Sequence, residues 1–335
     1  MTGAGAQAGR APTASVAIRG YRAHFLREAI ASILGQTFAD LEVVVYDDKG
    51  GLDLVVDEFA DPRVRYQRAT PGQDNSTKVR AALSLCRGAF LGTLDDDDRY
   101  EPTFLERVLE EFDRDSRVGV VFTDHYWEVQ GRSFRRRCHF PGGTHEQMLA
   151  PLLSSWPVAL SAAMLRREAW EQGEREAPIP GGVWADRFMW LRTASAGWAF
   201  TYVDQPLVTY RVHGAQMSAS HDLMREPGVA TLDAFRFDDP EAERLRRDYL
   251  TDALVSRAAH DLSKGRADRA RDDLLRAREL APRRQRARGF LLRRLAAHPS
   301  RAPRVASLWR RRPRPPLLWR DRAAAALRLN RRRSA

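Results

Sequence analysis

Short apolar runs that alternate with helical spacings, several of them breaking abruptly on acids, constrain this chain more than any other feature. Leu41–Tyr46 (LEVVVY) is apolar or β-branched at nearly every position, the pattern of a strand buried on both faces. It breaks on Asp47-Asp48-Lys49-Gly50-Gly51. Phe90–Leu94 repeats the pattern and runs straight into Asp95-Asp96-Asp97-Asp98. Ser15–Ile18, Val64–Arg68 and Val118–Thr123 are further predicted strands. Between them Phe25–Leu34, Leu52–Phe59, Thr77–Leu85 and Thr103–Phe112 carry helical spacing. Such alternation predicts an α/β fold, a mostly parallel sheet with flanking helices. Ligands of such sheets bind outside the carboxyl ends of the strands, where both acidic clusters fall. No GxGxxG and no GxxxxGK[ST] occurs, which excludes a dinucleotide-binding Rossmann domain and a P-loop.

The 335 residues carry a formal charge of +11, which invites a nucleic-acid reading. Location argues against it. The last 53 residues hold 18 Arg and a single acid, Asp321, so the rest of the chain is mildly acidic. Two cysteines, Cys86 and Cys138, exclude a disulfide scaffold and a Cys-based zinc cage. Residues 1–14 are small and polar, with no apolar core of a secretory signal, and are expected to be disordered. The uncharged stretch Met148–Leu165 contains Pro151 and Pro157, which break a membrane helix early. It is predicted to be a buried helix–loop–strand passage.

Four adjacent carboxylates have two readings, an acidic surface turn or a cation site. In extended backbone, Asp95 and Asp97 point the same way. Mg²⁺ or Mn²⁺ held by such a pair would have a diphosphate to complete its shell.

At this point the chain resembles a family. Ser15–Arg22 (SVAIRGYR), Ala29–Phe38 (AIASILGQTF), Leu41–Gly50, Arg87–Pro102 (RGAFLGTLDDDDRYEP), Ala185–Leu191 (ADRFMWL) and Tyr202–Ser218 (YVDQPLVTYRVHGAQMS) together look like a family-2-type glycosyltransferase of the GT-A fold. The resemblance implies a nucleoside-diphosphate-sugar donor, typically UDP-linked, and an inverting transfer to an acceptor hydroxyl that is a glycan, a lipid-linked saccharide or a small molecule. By it, Asp48 of the Asp47-Asp48 pair meets the base and Tyr21 stacks nearby. Asp97 is the direct metal ligand. Asp95 lies nearer the ribose or an ion-bound water, with Asp96 beside them in the donor site. Asp186 is the general base and His213 approaches the metal or diphosphate. Lys78 or Arg80 contacts the diphosphate.

The chain departs from the family pattern in three places. Arg19-Gly20-Tyr21-Arg22 replaces the usual Pro-Thr-Tyr-Asn, Ala185-Asp186 replaces Glu-Asp, and Val79-Arg80 replaces Arg-Asn. A catalytically silent sugar-nucleotide-binding or scaffold protein of the same fold is the alternative. Asp186 also suits a helix cap, a position where Asp is favoured. Arg135-Arg136-Arg137 reads as a solvated loop or an anionic-acceptor contact, and Asp124-His125 as a strand-end turn.

The expected organisation is a GT-A-like domain at 15–225, a helical region at 240–298 and an Arg-rich tail at 299–335. Ala270, Leu274, Ala277 and Pro282 match the second helix of a tetratricopeptide hairpin. The basic tail, with Leu317, Leu318 and Trp319, reads either as a contact to an anionic membrane surface or as a poorly ordered, solvated tail; the expected location is the cytoplasm, at the inner face of the membrane on the first reading.

Overall fold

In a computed structural model, β1 (Ala14–Gly20) runs down the middle of a sheet with β2 (Leu41–Asp47) on one side and β4 (Phe90–Asp95) on the other. The structure describes residues 10–138, 140–154, 158–213 and 221–280. The chain leaves β1 through α1 (Ala23–Leu34) to β2, then through α2 (Asp53–Asp57) to β3 (Val64–Arg68), moving outward. It returns through α3 (Asn75–Leu85) to β4 on the opposite side of β1. That reversal opens a crevice at the carboxyl ends of β1 and β4.

The other strands are β5 (Arg99–Tyr100), β6 (Val118–Val129), β7 (Arg132–Arg136), β8 (Gly142–Gly143), β9 (Ala163–Arg166) and β10 (Ala199–Val212). The sheet order is β3-β2-β1-β4-β9-β6-β10-β5, with β7 paired to β6 and β8 to β10. β3, β2, β1 and β4 are parallel, as are β6 and β10, whereas β9 is antiparallel to both β4 and β6. The sheet is therefore mostly parallel, as expected, with a short reversed strand inserted at its centre. β10 shifts register around Pro206, whose missing N–H cannot serve a ladder. Helices α4 (Phe104–Arg114), α6 (Arg167–Glu176) and α7 (Ala185–Ser195) complete the set that accompanies the sheet, and α5 (His145–Ser154) precedes β9 in the chain.

Helix spacing explains the core. Leu26, Ala29, Ile30 and Ile33 of α1 and Phe104, Leu105, Val108 and Phe112 of α4 are buried with Val16, Ile18, Val43, Val45 and Leu94 of the sheet. Two expectations are corrected here. The strand read as Val118–Thr123 runs on to Val129, so Asp124-His125 is not a strand-end turn. Arg135 and Arg136, read as loop, lie in β7.

The described residues within 1–148, 156–181 and 185–216 form one compact unit, and those within 149–155, 182–184 and 217–335 a second. The second unit is helical, with α8 (His221–Ala234), α9 (Pro240–Ser263) and α10 (Ala267–Leu280). Asp239 caps α9 by accepting from Ala242 N at 2.7 Å, with Pro240 opening the helix. Leu250, Leu254, Ala258, Ala270, Leu274 and Ala277 are buried. Arg257 of α9 donates to both Asp273 oxygens of α10, at 2.7 and 2.8 Å. Pro282, the Arg-rich tail and its expected membrane contact lie outside the described residues. No described helix is long and apolar enough to cross a membrane.

Candidate active site

The aspartate run does not continue as a strand. Asp98 N donates to Asp95 O at 3.0 Å, closing a four-residue turn directly after β4. The turn, rather than strand alternation, brings the side chains together. Oxygens of Asp95, Asp97 and Asp98 lie within 4.8 Å of one another. Asp98 is 3% exposed, and its Oδ1 accepts from Arg211 N at 3.1 Å. Its Oδ2 is buried with no hydrogen-bond partner of normal geometry among the described residues, with Ser161 nearby. Burial first, then the Asp95 and Asp97 charges, raises the Asp98 carboxyl well above the ordinary range. An orphaned buried oxygen beside two further carboxylates is a donor set that fits a hard divalent cation. His213 Nε2 lies 2.8 Å from Asp97 Oδ2.

Asp96 turns away from this set. Its Oδ2 accepts from Tyr21 N and Arg22 N at 2.5 and 2.6 Å, which ties the turn to the segment entering α1. Burial first, and Asp97 among the lesser causes, raises its carboxyl despite those bonds. Two arginines from the atypical Arg19–Arg22 segment counter the acids. Arg22 donates to Asp96 Oδ1 at 2.8 Å and Asp97 Oδ2 at 2.9 Å. Arg19, only 5% exposed, binds Asp95 and Asn75 of α3. Its burial would lower the guanidinium pKa. Asp95, Tyr21 and Asp186 outweigh that and hold it raised. Asp186 is thus within electrostatic reach of the same buried charge.

The structure separates the two members of the Asp47-Asp48 pair. Asp47 is fully buried and holds the turn after β2. Its Oδ1 accepts from Lys49 N and Gly50 N at 3.0 and 2.6 Å, and its Oδ2 from Leu52 N and Tyr66 Oη at 3.2 and 2.8 Å. Gly50, at φ 91°, supplies the left-handed residue this turn needs. Asp48 takes no part in the Asp47 bonds that hold this turn and pairs with Lys78 of α3, both side chains largely covered. The Lys78 Nζ lies 5.7 Å from the centre of the Tyr21 ring. Tyr21, Asp48 and Lys78 are therefore one cluster beside the carboxyl ends of β1 and β2. Arg80, further along α3, pairs with Glu174 of α6 instead.

Asp186 sits in the first turn of α7, where its Oδ1 accepts from Arg187 N at 2.7 Å. The preceding segment packs on the start of α3: Ser76 Oγ donates to Pro180 O at 3.0 Å, and a Cβ on Gly181 would come within 2.6 Å of Asp74.

The sequence reading missed Asp98, Arg19 and Arg22 as members of the site. Only the odd Arg-rich replacement at residues 19–22 signalled the arginines, because a buried Arg needs carboxylates to face.

A match to the model of "Glycosyl transferase family 2" covers residues 16–173. A chondroitin synthase of Escherichia coli is 28% identical over 229 residues, 65% of this chain and 32% of that protein. The chain thus spans about a third or less of the length of the first curated relatives it matches. Among solved structures, S. aureus TarS 1-349 in complex with UDP-GlcNAc superposes with a TM-score of 0.65 at 14% identity, covering 89% of this chain and 91% of that one. The mannosyltransferase PcManGT of Pyrobaculum calidifontis, in complex with GDP-Man and Mn²⁺, gives 0.53 at 18% identity, covering 90% and 89%. With its mostly parallel sheet and flanking helices, the chain has the GT-A fold of these structures, and residues 16–173 match the glycosyl transferase family 2 model.

Proposed function

We propose that the chain transfers a sugar from a nucleoside-diphosphate sugar of the UDP type to an acceptor hydroxyl, with inversion, in polysaccharide or glycoconjugate synthesis. The observation that carries this reading is the Asp95–Asp98 turn at the crevice between β1 and β4, with its orphaned buried Asp98 oxygen.

Asp95, Asp97 and Asp98, with His213 beside Asp97, would hold Mg²⁺ or Mn²⁺, which when bound supplies positive charge for the leaving diphosphate. Tyr21 and Asp48 receive the nucleoside base. Lys78 brings a second cation to the diphosphate from the α3 side. Asp186 accepts the proton of the acceptor hydroxyl as its oxygen bonds the anomeric carbon and the bond from that carbon to the diphosphate breaks. Arg19 pairs with Asp95, and the Asp186 charge is the least of the causes that hold its guanidinium protonated.

The bound ligands of the two solved structures support the donor class, UDP-GlcNAc in one and GDP-Man with Mn²⁺ in the other. The test is a panel of nucleotide sugars screened by thermal unfolding with and without Mn²⁺, followed by product analysis of the hits. A UDP-sugar that stabilises only with the metal, and stops doing so in Asp97→Ala, is the expected result. Equal stabilisation with and without metal defeats the metal assignment. No stabilisation by any nucleotide sugar defeats the donor assignment.

A further inference from the structure

The hairpin of β6 and β7 turns on Gln130-Gly131, both at positive φ (49° and 74°), the geometry of a tight two-residue connection. Registered partners in a sheet share a face. Trp127 pairs with Phe134 across the hairpin and with Tyr210 of β10 on its other side. Three aromatic side chains therefore form one row on one face. Adjacent strands are about 4.8 Å apart, so the row makes a platform about 10 Å wide. Trp127 is 38% exposed and Phe134 55%. An edge strand guarded only against aggregation needs charge, not two exposed rings.

Charge is divided unequally between the two faces of this hairpin. On the opposite face Arg135 is balanced by Asp124 and Asp204, and Glu128 by Arg99 and Arg211. On the aromatic face Arg136 stacks over Trp127 at 4.2 Å, and Arg132 shares its side of the strand. Arg132, Arg136 and the following Arg137 are exposed and form no ion pair among the described residues. Flat rings meet the weakly positive C–H faces of a pyranose through their negative faces. Guanidinium groups take carboxylate or sulfate oxygens in pairs. Just past the end of β10, three residues beyond Tyr210, His213 touches Asp97 on the face opposite the row, so a chain lying on the row reaches the candidate active site around the strand end.

We propose that this aromatic row with its arginine rim binds an anionic saccharide chain, and that this chain is the acceptor. The second clause rests on the transferase reading. The first does not.

The test is calorimetry on the full chain, without donor. The probes are a hexasaccharide of alternating glucuronate and N-acetylhexosamine, the same hexasaccharide with its carboxyl groups reduced, and a single-stranded DNA oligonucleotide. The expected result is that the uronate hexasaccharide binds and that Trp127→Ala/Phe134→Ala weakens it at least tenfold. This variant leaves every charge of the chain in place, so binding to the Arg-rich tail is unchanged. Arg136→Gln is expected to weaken the uronate form and not the reduced one. Stabilisation by UDP with Mn²⁺ is expected to be unaltered in both variants, which shows that they fold. Uronate binding that is the same in wild type and the aromatic variant overturns the proposal. An oligonucleotide affinity that falls by the same factor in that variant also overturns it, because the platform is then a general polyanion stack. If the saccharide binds as expected but no sugar is transferred, the platform stands and the transferase reading falls.

Discussion

Asp98 is the most deeply buried of the three carboxylates that gather in the turn after β4. Its pKa is raised in the folded chain by burial and by Asp95 and Asp97, so in the metal-free chain the folded form keeps a proton that the unfolded form gives up. Stability from this group is fully present below the ordinary carboxylate range and is lost as pH rises through the folded value. Asp98→Asn, which mimics the neutral form, is expected to flatten that loss in denaturant titrations run in chelator, and to abolish Mn²⁺ stabilisation. His125 has the opposite sign. Burial, then Arg136, lowers it from 6.5 to about 4. The unfolded chain therefore takes up a proton that the folded chain refuses, and stability present above 6.5 is lost as pH falls toward about 4. His125→Gln is expected to remove that component from the acid limb of an unfolding-midpoint profile. Asp186→Asn is expected to lower transfer by about 10²–10⁴-fold with little change in donor KM, the range for a missing general base. A steady-state comparison of kcat and KM checks this.

Among the elements, the turns after β2 and β4 matter most. Asp47→Ala leaves the buried Leu52 N–H and the half-buried Tyr66 hydroxyl without their acceptor, and hands the Lys49 and Gly50 N–H groups to water, a loss of about 3 kcal/mol. Urea unfolding measures it, and the Lys78–Asp48 pair is expected to loosen with the turn. The main parallel strands were legible because LEVVVY and FLGTL are apolar runs of strand length. β7 was not, because RSFRR has one apolar residue and its pairing partner, not its pattern, makes it a strand. β9 was missed as a reversed strand because four residues, AMLR, set no direction until β4 and β6 flank them. The acidic cluster was legible as a site, yet for a reason that fails in detail. Alternation predicted the Asp95–Asp97 pair, whereas the turn adds Asp98 and sends Asp96 to the backbone of Tyr21 and Arg22.

At the scale of the whole molecule, the proposed binding of donor and metal would be linked to the folding of the sheet-bearing unit. A nucleotide sugar at a hundredfold excess over its Kd in Mn²⁺ is expected to stabilise that unit by about 2.7 kcal/mol. Calorimetric scanning checks this, and the helical unit of α8–α10 provides an internal reference if the two melt separately. The order of strands in the sheet has a further meaning. Tyr21, Asp48, Lys78 and Asp95–Asp98 all come from the stretch of chain that builds β1 to β4 and the turn after it. Asp186 and the β6–β7 hairpin come from the chain beyond that turn. On the proposed reading, and apart from Arg211 and His213 at the end of β10, the donor-facing and acceptor-facing residues would be encoded by consecutive lengths of gene. Recombination downstream of the aspartate turn would then exchange the residues proposed to receive the sugar while keeping those proposed to deliver it, provided the new stretch again ends a strand at the turn as Arg211 and His213 do.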